Sequence, residues 1–292
     1  MASAISPTDI SDLKSALKLT VGFGLRSLGA LAWEPAPGSE ADAEVNNTLR
    51  RPAGAAWGQN PPRTAYAAAN LMMTGVLDNL VSLQALLRRE MTSLGPVVLS
   101  RSVIEISSTA WWLMEPGIGV RARVCRELVL SLTSAQRAGQ LAQTMQAGPA
   151  ATEAAQQEAQ ILQRIAGLGI AAPTGGRFNQ SIEGERAKSA TDATTATLKD
   201  AVPAGQSAEP VYRAYSAVAH GEFYGLMNFM VHDTLPDGSP FLRWDVNLEV
   251  VDSAVQIALF AFKETITRIH KVMGWGKLER DLWEINLRRI LN

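Results

Sequence analysis

The sequence predicts an all-α protein, a multi-helix bundle with long irregular connections. Apolar residues recur at three- and four-residue spacings through most of the 292-residue chain, the period of helices that bury one face. Runs that alternate apolar and polar residues are scarce, and the βαβ succession of a parallel sheet is missing. Between the periodic runs lie stretches of proline, glycine and small polar residues, which mark connections. The length suits one large domain with a sizeable core, so residues 1–292 read as a single helical domain.

The elements follow in order. "SPTDISDLKSALKLTVGFGLRSLGALAW" reads as a first helix, with Asp9 and Ser11 as caps and Leu13, Leu17, Val21 and Leu25 recurring every four residues. Residues 34–63 carry Pro35, Pro37, Pro52, Pro61 and Pro62, an irregular connection expected to wrap the surface. Tyr66 to Met91 is a long amphipathic run with a basic end, as a helix C-terminus favours. "GPVVLSRSVIEISSTAWWLMEP" is bounded by a proline in its first turn and by Pro116. Arg101 and Glu105 stand at i and i+4 within it, as an intrahelical ion pair or a buried pair shaping a site.

"GVRARVCRELVLSLTSAQRAGQLAQTMQ" places Val120, Val124, Leu128 and Leu132 on one stripe. Arg121, Arg123, Arg126 and Arg137 around it read as a solvated basic face, with phosphate contact as the alternative. "ATEAAQQEAQILQRIAGLG" is a further helix, with Gly167 or Gly169 as its C-terminal cap. Residues 170–209, poor in large apolar side chains, read as a long loop with one short helix and the character of a mobile cover. Pro-Asp-Gly within "HDTLPDGSPFLRWD" supplies turn chemistry for a short hairpin. "VNLEVVDSAVQIALFAFKETITRIHKVMGWG" is a long, largely buried helix stopped by Gly274, and "KLERDLWEINLRRIL" a short terminal one.

Composition removes several functions. Lys and Arg number 27 against 28 Asp and Glu, so no global field announces nucleic acid or an anionic membrane, and any phosphate binding must be local. The lone Cys125 excludes an internal disulfide and fits a reducing cytoplasm, where it packs in the core. No secretory signal opens the chain, and the most apolar segments fall short of the roughly 20 residues of a membrane helix. The nucleotide-binding and hydrolase signatures G-x-x-x-x-G-K-[ST], G-x-G-x-x-G, H-E-x-x-H and G-x-S-x-G are missing. His220, His232 and His270 lack ligand spacing, so neither a metal nor another cofactor is expected.

Candidate chemistry concentrates in "VYRAYSAVAHGEFYGLM", residues 211–227, read as one helix. At about 100° per residue, Arg213 and His220 return to nearly one direction, with Tyr212 and Ser216 within roughly a 100° arc. A cation, a phenol, a hydroxyl and an imidazole on one face make a site or a packing network. "RAYSAVAH" has the form R-x6-H late in an all-helical chain and resembles the HEPN superfamily, with the likeness covering about residues 66–275. Residues 1–65 then form an N-terminal helix and proline-rich connection, and 276–292 a C-terminal helix. Ala214 stands where the family usually has a polar residue after the arginine.

The resemblance implies binding of RNA or a nucleotide and metal-independent RNA cleavage at a homodimer interface. His220 would exchange protons, since an imidazole ordinarily titrates at about 6.5, and Arg213 would neutralise phosphate. Tyr212, Ser216, Arg101 and Glu105 would orient the substrate, and a second His220 would complete the acid–base pair. The opposing expectation is a non-catalytic scaffold or protein-interaction module, in which Tyr212, Ser216 and His220 bond Arg101 or Glu105 to fix helix packing. A third is an apolar pocket lined by Trp111, Trp112, Phe223 and Met227.

Overall fold

Proline, glycine and capping side chains decide where the helices begin and end. The computed structural model describes residues 10–29, 33–87, 94–201, 207–245 and 247–291. Helix α1 spans Ile10–Gly29; Asp9, expected as a cap, lies outside the described residues. Leu13, Leu17 and Val21 are buried whereas Leu25 is 55% exposed. A four-residue spacing drifts about 40° per step on a helix, so the fourth member has left the buried face. Short α2 (Glu40–Val45) is capped by Ser39, whose Oγ accepts from the Asp42 N–H. It lies inside the connection expected to wrap the surface, yet Ala41, Glu44, Val45 and Trp57 are buried.

Helix α3 (Asn60–Leu86) starts six residues earlier than expected, with Pro61 and Pro62 in its first turn, where a missing N–H costs nothing. Its expected basic end, Arg88 and Arg89 before Met91, lies outside the described residues. Helices α4 (Leu94–Leu113), α5 (Gly119–Thr144) and α6 (Gly148–Gly167) follow as expected. A two-stranded ribbon of β1 (Ser181–Ile182) and β2 (Glu185–Arg186) precedes α7 (Ala190–Thr197). Then come α8 (Glu209–Ala219), α9 (Phe223–Leu226) and an antiparallel hairpin of β3 (Met230–Thr234) and β4 (Pro240–Trp244). Helix α10 (Leu248–Met273) ends at Gly274, whose φ of 69° is the left-handed conformation of a helix stop, and α11 (Lys277–Leu291) completes the chain. Among the described residues no helix is long and apolar enough to cross a membrane.

Helix α4 lies at the centre, packed between α3 and α10, with α7 and α8 also against it. Its buried Ser100, Ser107 and Ser108 are small enough for close helix approach, and the Thr265 hydroxyl of α10 donates to the Ser107 carbonyl at 2.9 Å. Helix α1 lies on α3 and α11, where Phe23 stacks on Trp283 at 4.5 Å between ring centres. A second, smaller core joins α5, α6 and the ribbon through Trp57, Val124, Cys125, Leu128, Ile165 and Ile182. Burial pushes the Cys125 thiol up to about 12, consistent with a packing role.

This second core corrects the expected mobile cover. Ile170 and Ile182 are buried, and Glu183 and Glu185 are bonded to Arg121 and Arg126 of α5. The solvated basic face fails at Arg123 and Arg126, whereas Arg137 is exposed as expected. Arg123 is fully buried; its Nε donates to Glu44 Oε2 at 2.8 Å, Nη2 to Glu40 Oε1 at 2.8 Å and Nη1 to the Leu113 carbonyl at 2.8 Å. Tyr66 donates its hydroxyl to the same Glu44, and burial holds that phenol well above the ordinary tyrosine range. Arg126 is also buried, paired with Glu115 and Glu185 and stacked 4.9 Å from the Trp112 ring. In each case a buried cation survives by meeting carboxylates and carbonyls from other elements.

A buried histidine makes stability depend on pH. His270 of α10 packs beside Phe23 and Trp275, with Nε2 2.7 Å from the Ser27 hydroxyl. Burial, followed by the nearby Arg280 charge, lowers its pKa to about 4. Between that value and the ordinary 6.5 the unfolded chain binds the extra proton, so stability rises with pH through this window. Its contribution is complete above about pH 6.5 and falls by about 3 kcal/mol as pH drops toward 4, at 1.36 kcal/mol per unit. Urea unfolding at pH 7, 5.5 and 4 should reveal this slope, and His270→Gln should flatten it. An unchanged slope in the variant would reassign it to the carboxylates.

Candidate functional site

The segment expected to be one helix is two, and the break defines the site. Helix α8 stops after Ala219 because Gly221 takes φ = 68°. The Glu222 N–H bonds the Ala217 carbonyl and the Gly221 N–H bonds that of Val218, the paired bonds of a glycine-terminated helix. His220 is therefore the residue that caps the end of the helix, at an exposed corner. Beyond it α9 folds back on α8. A β-carbon on Gly225 would lie 2.7 Å from the Ala217 carbonyl carbon and the Val218 nitrogen, so only glycine permits this approach.

The predicted residues divide between the two sides of α8. Tyr212 is buried, and its hydroxyl donates to Glu105 Oε1 at 2.6 Å. Arg101 pairs with that oxygen at 2.8 Å and lies 6.0 Å from the Tyr212 ring centre. Burial and the Glu105 hydrogen bond raise the Tyr212 pKa above the ordinary phenol range. Arg101, Glu105 and Tyr212 thus lock α8 onto α4. On the same inward side the Tyr215 hydroxyl lies 2.8 Å from Ser253 Oγ of α10.

Arg213, Ser216 and His220 lie on the other side. Arg213 and His220 are exposed and Ser216 is half-buried. Arg213 reaches Glu209, one turn earlier, at 2.7 Å. Exposed pairs of this kind contribute only about 0.2–0.5 kcal/mol, so an incoming phosphate can displace the carboxylate. Seven residues separate Arg213 and His220, about 10 Å along the helix axis. Among the described residues, the His220 side chain bonds none of Arg101, Glu105 or Tyr212; it takes no part in the packing network.

Two exposed aromatic side chains follow in the chain. Phe223 is 75% and Tyr224 60% exposed, directly after the turn that follows His220. The neighbouring hairpin is rooted by Phe229, which stacks on Trp244 at 5.7 Å, and by the Asp245 N–H on the Phe229 carbonyl at 2.8 Å. The exposed Phe223 cannot line an enclosed apolar pocket with buried Trp112, and Trp111 is occupied by the Arg268 guanidinium 3.2 Å from its ring centre. The expected pocket is therefore not formed from these residues. Phe223 and Tyr224 were readable as site residues only through Gly221, which ends the helix and turns them outward.

What fold and site define is a helical bundle with Arg213 and His220 exposed on one helix and an aromatic corner after it. No protein-family model, curated protein or solved structure matches the chain.

Proposed function

We propose that the protein binds RNA on the outer face of α8 and α9 and, as a twofold dimer, cleaves it without a metal. The observation that carries this reading is the exposure of Arg213 and His220 on one side of α8, with Phe223 and Tyr224 uncovered three and four residues after His220. A cation beside aromatic faces suits a single strand, whose phosphates and bases need both. The HEPN-like R-x6-H arrangement adds the chemistry. The 2′-hydroxyl loses its proton to one His220 and attacks phosphorus; the 5′-oxygen leaves with a proton from the His220 of a second copy. Arg213 neutralises charge on the phosphorane. The products are a 2′,3′-cyclic phosphate and a 5′-hydroxyl.

Light scattering at micromolar concentration should give twice the 31.4 kDa chain mass. Anisotropy with a labelled single-stranded RNA should show binding that Phe223→Ala and Tyr224→Ala each weaken by about 1–3 kcal/mol, the scale of base stacking. A strict monomer that binds no RNA sinks the reading. The Arg101–Glu105–Tyr212 network favours a second one, a non-catalytic scaffold or protein-interaction module. On that reading the dimer persists and wild-type protein cleaves no RNA.

A further inference from the structure

A second group of cations lies well apart in sequence from α8, on the face where the middle of α5 meets β2 and the start of α7. Arg137, Arg186 and Lys188 line one recess of about 470 Å³ together with Thr133, Ser189 and Asp192. The volume falls within the range of small-molecule sites. Among the described residues, none of the three cations has a carboxylate within ion-pair distance, whereas Arg121, Arg123, Arg126, Arg164 and Arg177 all do.

The neighbouring acids are engaged elsewhere. Glu183 holds Arg121, Glu185 holds Arg126, and Glu158 takes Arg177 and the Gln136 amide. Asp192, the one carboxylate in the recess, is turned onto its own helix start, where the Ser189 hydroxyl donates to it at 2.7 Å. Thr133 lines the same recess and is only 8% exposed. Three cations without carboxylate partners around one recess are an arrangement completed by an anion with several acceptor oxygens. The first turn of α7 adds backbone N–H groups of the same sign. The loop closing the recess is held in place, since the Phe178 N–H donates to Gln136 Oε1 at 3.2 Å.

We infer that this recess binds the phosphate group of a small phosphorylated molecule, a dianion that matches two guanidinium groups and an ammonium. The site is distinct from the α8 face and stands whether or not that face cleaves RNA. Its chemistry is shared by free phosphate and by phosphate monoesters, and the volume leaves room beside the phosphate for a body of sugar size.

Calorimetry on the full chain at low ionic strength tests it with ribose 5-phosphate, inorganic phosphate and ribose. Ribose 5-phosphate should bind and ribose should not. A tighter grip on the ester than on inorganic phosphate assigns the site to monoesters; equal affinity assigns it to free phosphate, and both support the anion site. Arg137→Gln, Arg186→Gln and Lys188→Gln should each weaken binding about tenfold, the scale of one charge-assisted hydrogen bond. Thermal melts should stay unchanged, because all three side chains are exposed. Arg213→Gln should leave the affinity as it is. The inference is overturned if neither phosphate compound binds, or if the triple variant binds as well as wild type.

Discussion

His220→Ala is expected to lower RNA cleavage by about 10²-fold or more, the scale of general acid–base catalysis, without shifting the thermal melt. The second half of that expectation comes from position. His220 is exposed at the end of α8 and supports no neighbouring helix, so its loss should alter stability by less than about 0.5 kcal/mol. Arg213→Ala should behave alike, since it gives up only a solvent-exposed pair with Glu209. Tyr212→Phe is the internal control. It removes the donor to Glu105 and leaves a partly buried carboxylate oxygen short of a bond, with a stability loss of about 1–3 kcal/mol. The measurement pairs thermal melts with a labelled single-stranded RNA assay in chelator, on wild type and all three variants. Cleavage that survives His220→Ala would remove the imidazole from the mechanism; absence of cleavage by wild type across a broad RNA panel would favour the scaffold reading.

Arg123→Ala should be among the most damaging single changes in the chain, at about 3–5 kcal/mol. The guanidinium links three helices and a turn: Glu40 and Glu44 of α2, the end of α4 through the Leu113 carbonyl, the Glu115 carbonyl in the turn after it, and α5 itself. Tyr66 of α3 shares Glu44. Removing the cation strands a buried carboxylate with only a phenol to satisfy it, and opens a cavity where a long side chain stood. Urea unfolding followed by circular dichroism measures the loss. Arg137→Ala, about four turns further along the same helix and exposed, should cost less than about 0.5 kcal/mol. Equal losses from the two arginines would mean that the Arg123 cluster contributes nothing beyond an ordinary surface pair.

The helical class was legible because helix period and helix punctuation are local. Gly274 stops α10 as expected, and Pro-Asp-Gly turns the β3–β4 hairpin. Two further local signals act in the same way. Gly221, inside a helix-period run, is the residue that ends α8, and Glu183-Gly184, both at positive φ (51° and 86°), make the two-residue turn of the small ribbon. Each sits in a stretch whose composition suggested something else, helix in one case and loop in the other.

Side-chain roles were less legible, for a physical reason. Spacing along a helix places residues on a face but carries no information about which face is buried. By spacing, Tyr212, Arg213, Ser216 and His220 formed one set; α4 divides it, taking Tyr212 inward against Glu105 and leaving Arg213 and His220 outside. The sequence by itself determined the long helices, most of their ends, the hairpin and the residues able to carry charge. Only the tertiary structure decided that Arg123 and Arg126 are buried while Arg137 and Arg213 are exposed. That outcome depends on carboxylates up to 83 residues distant in the chain, and the burial of a cation is settled by the partners that the fold brings to it.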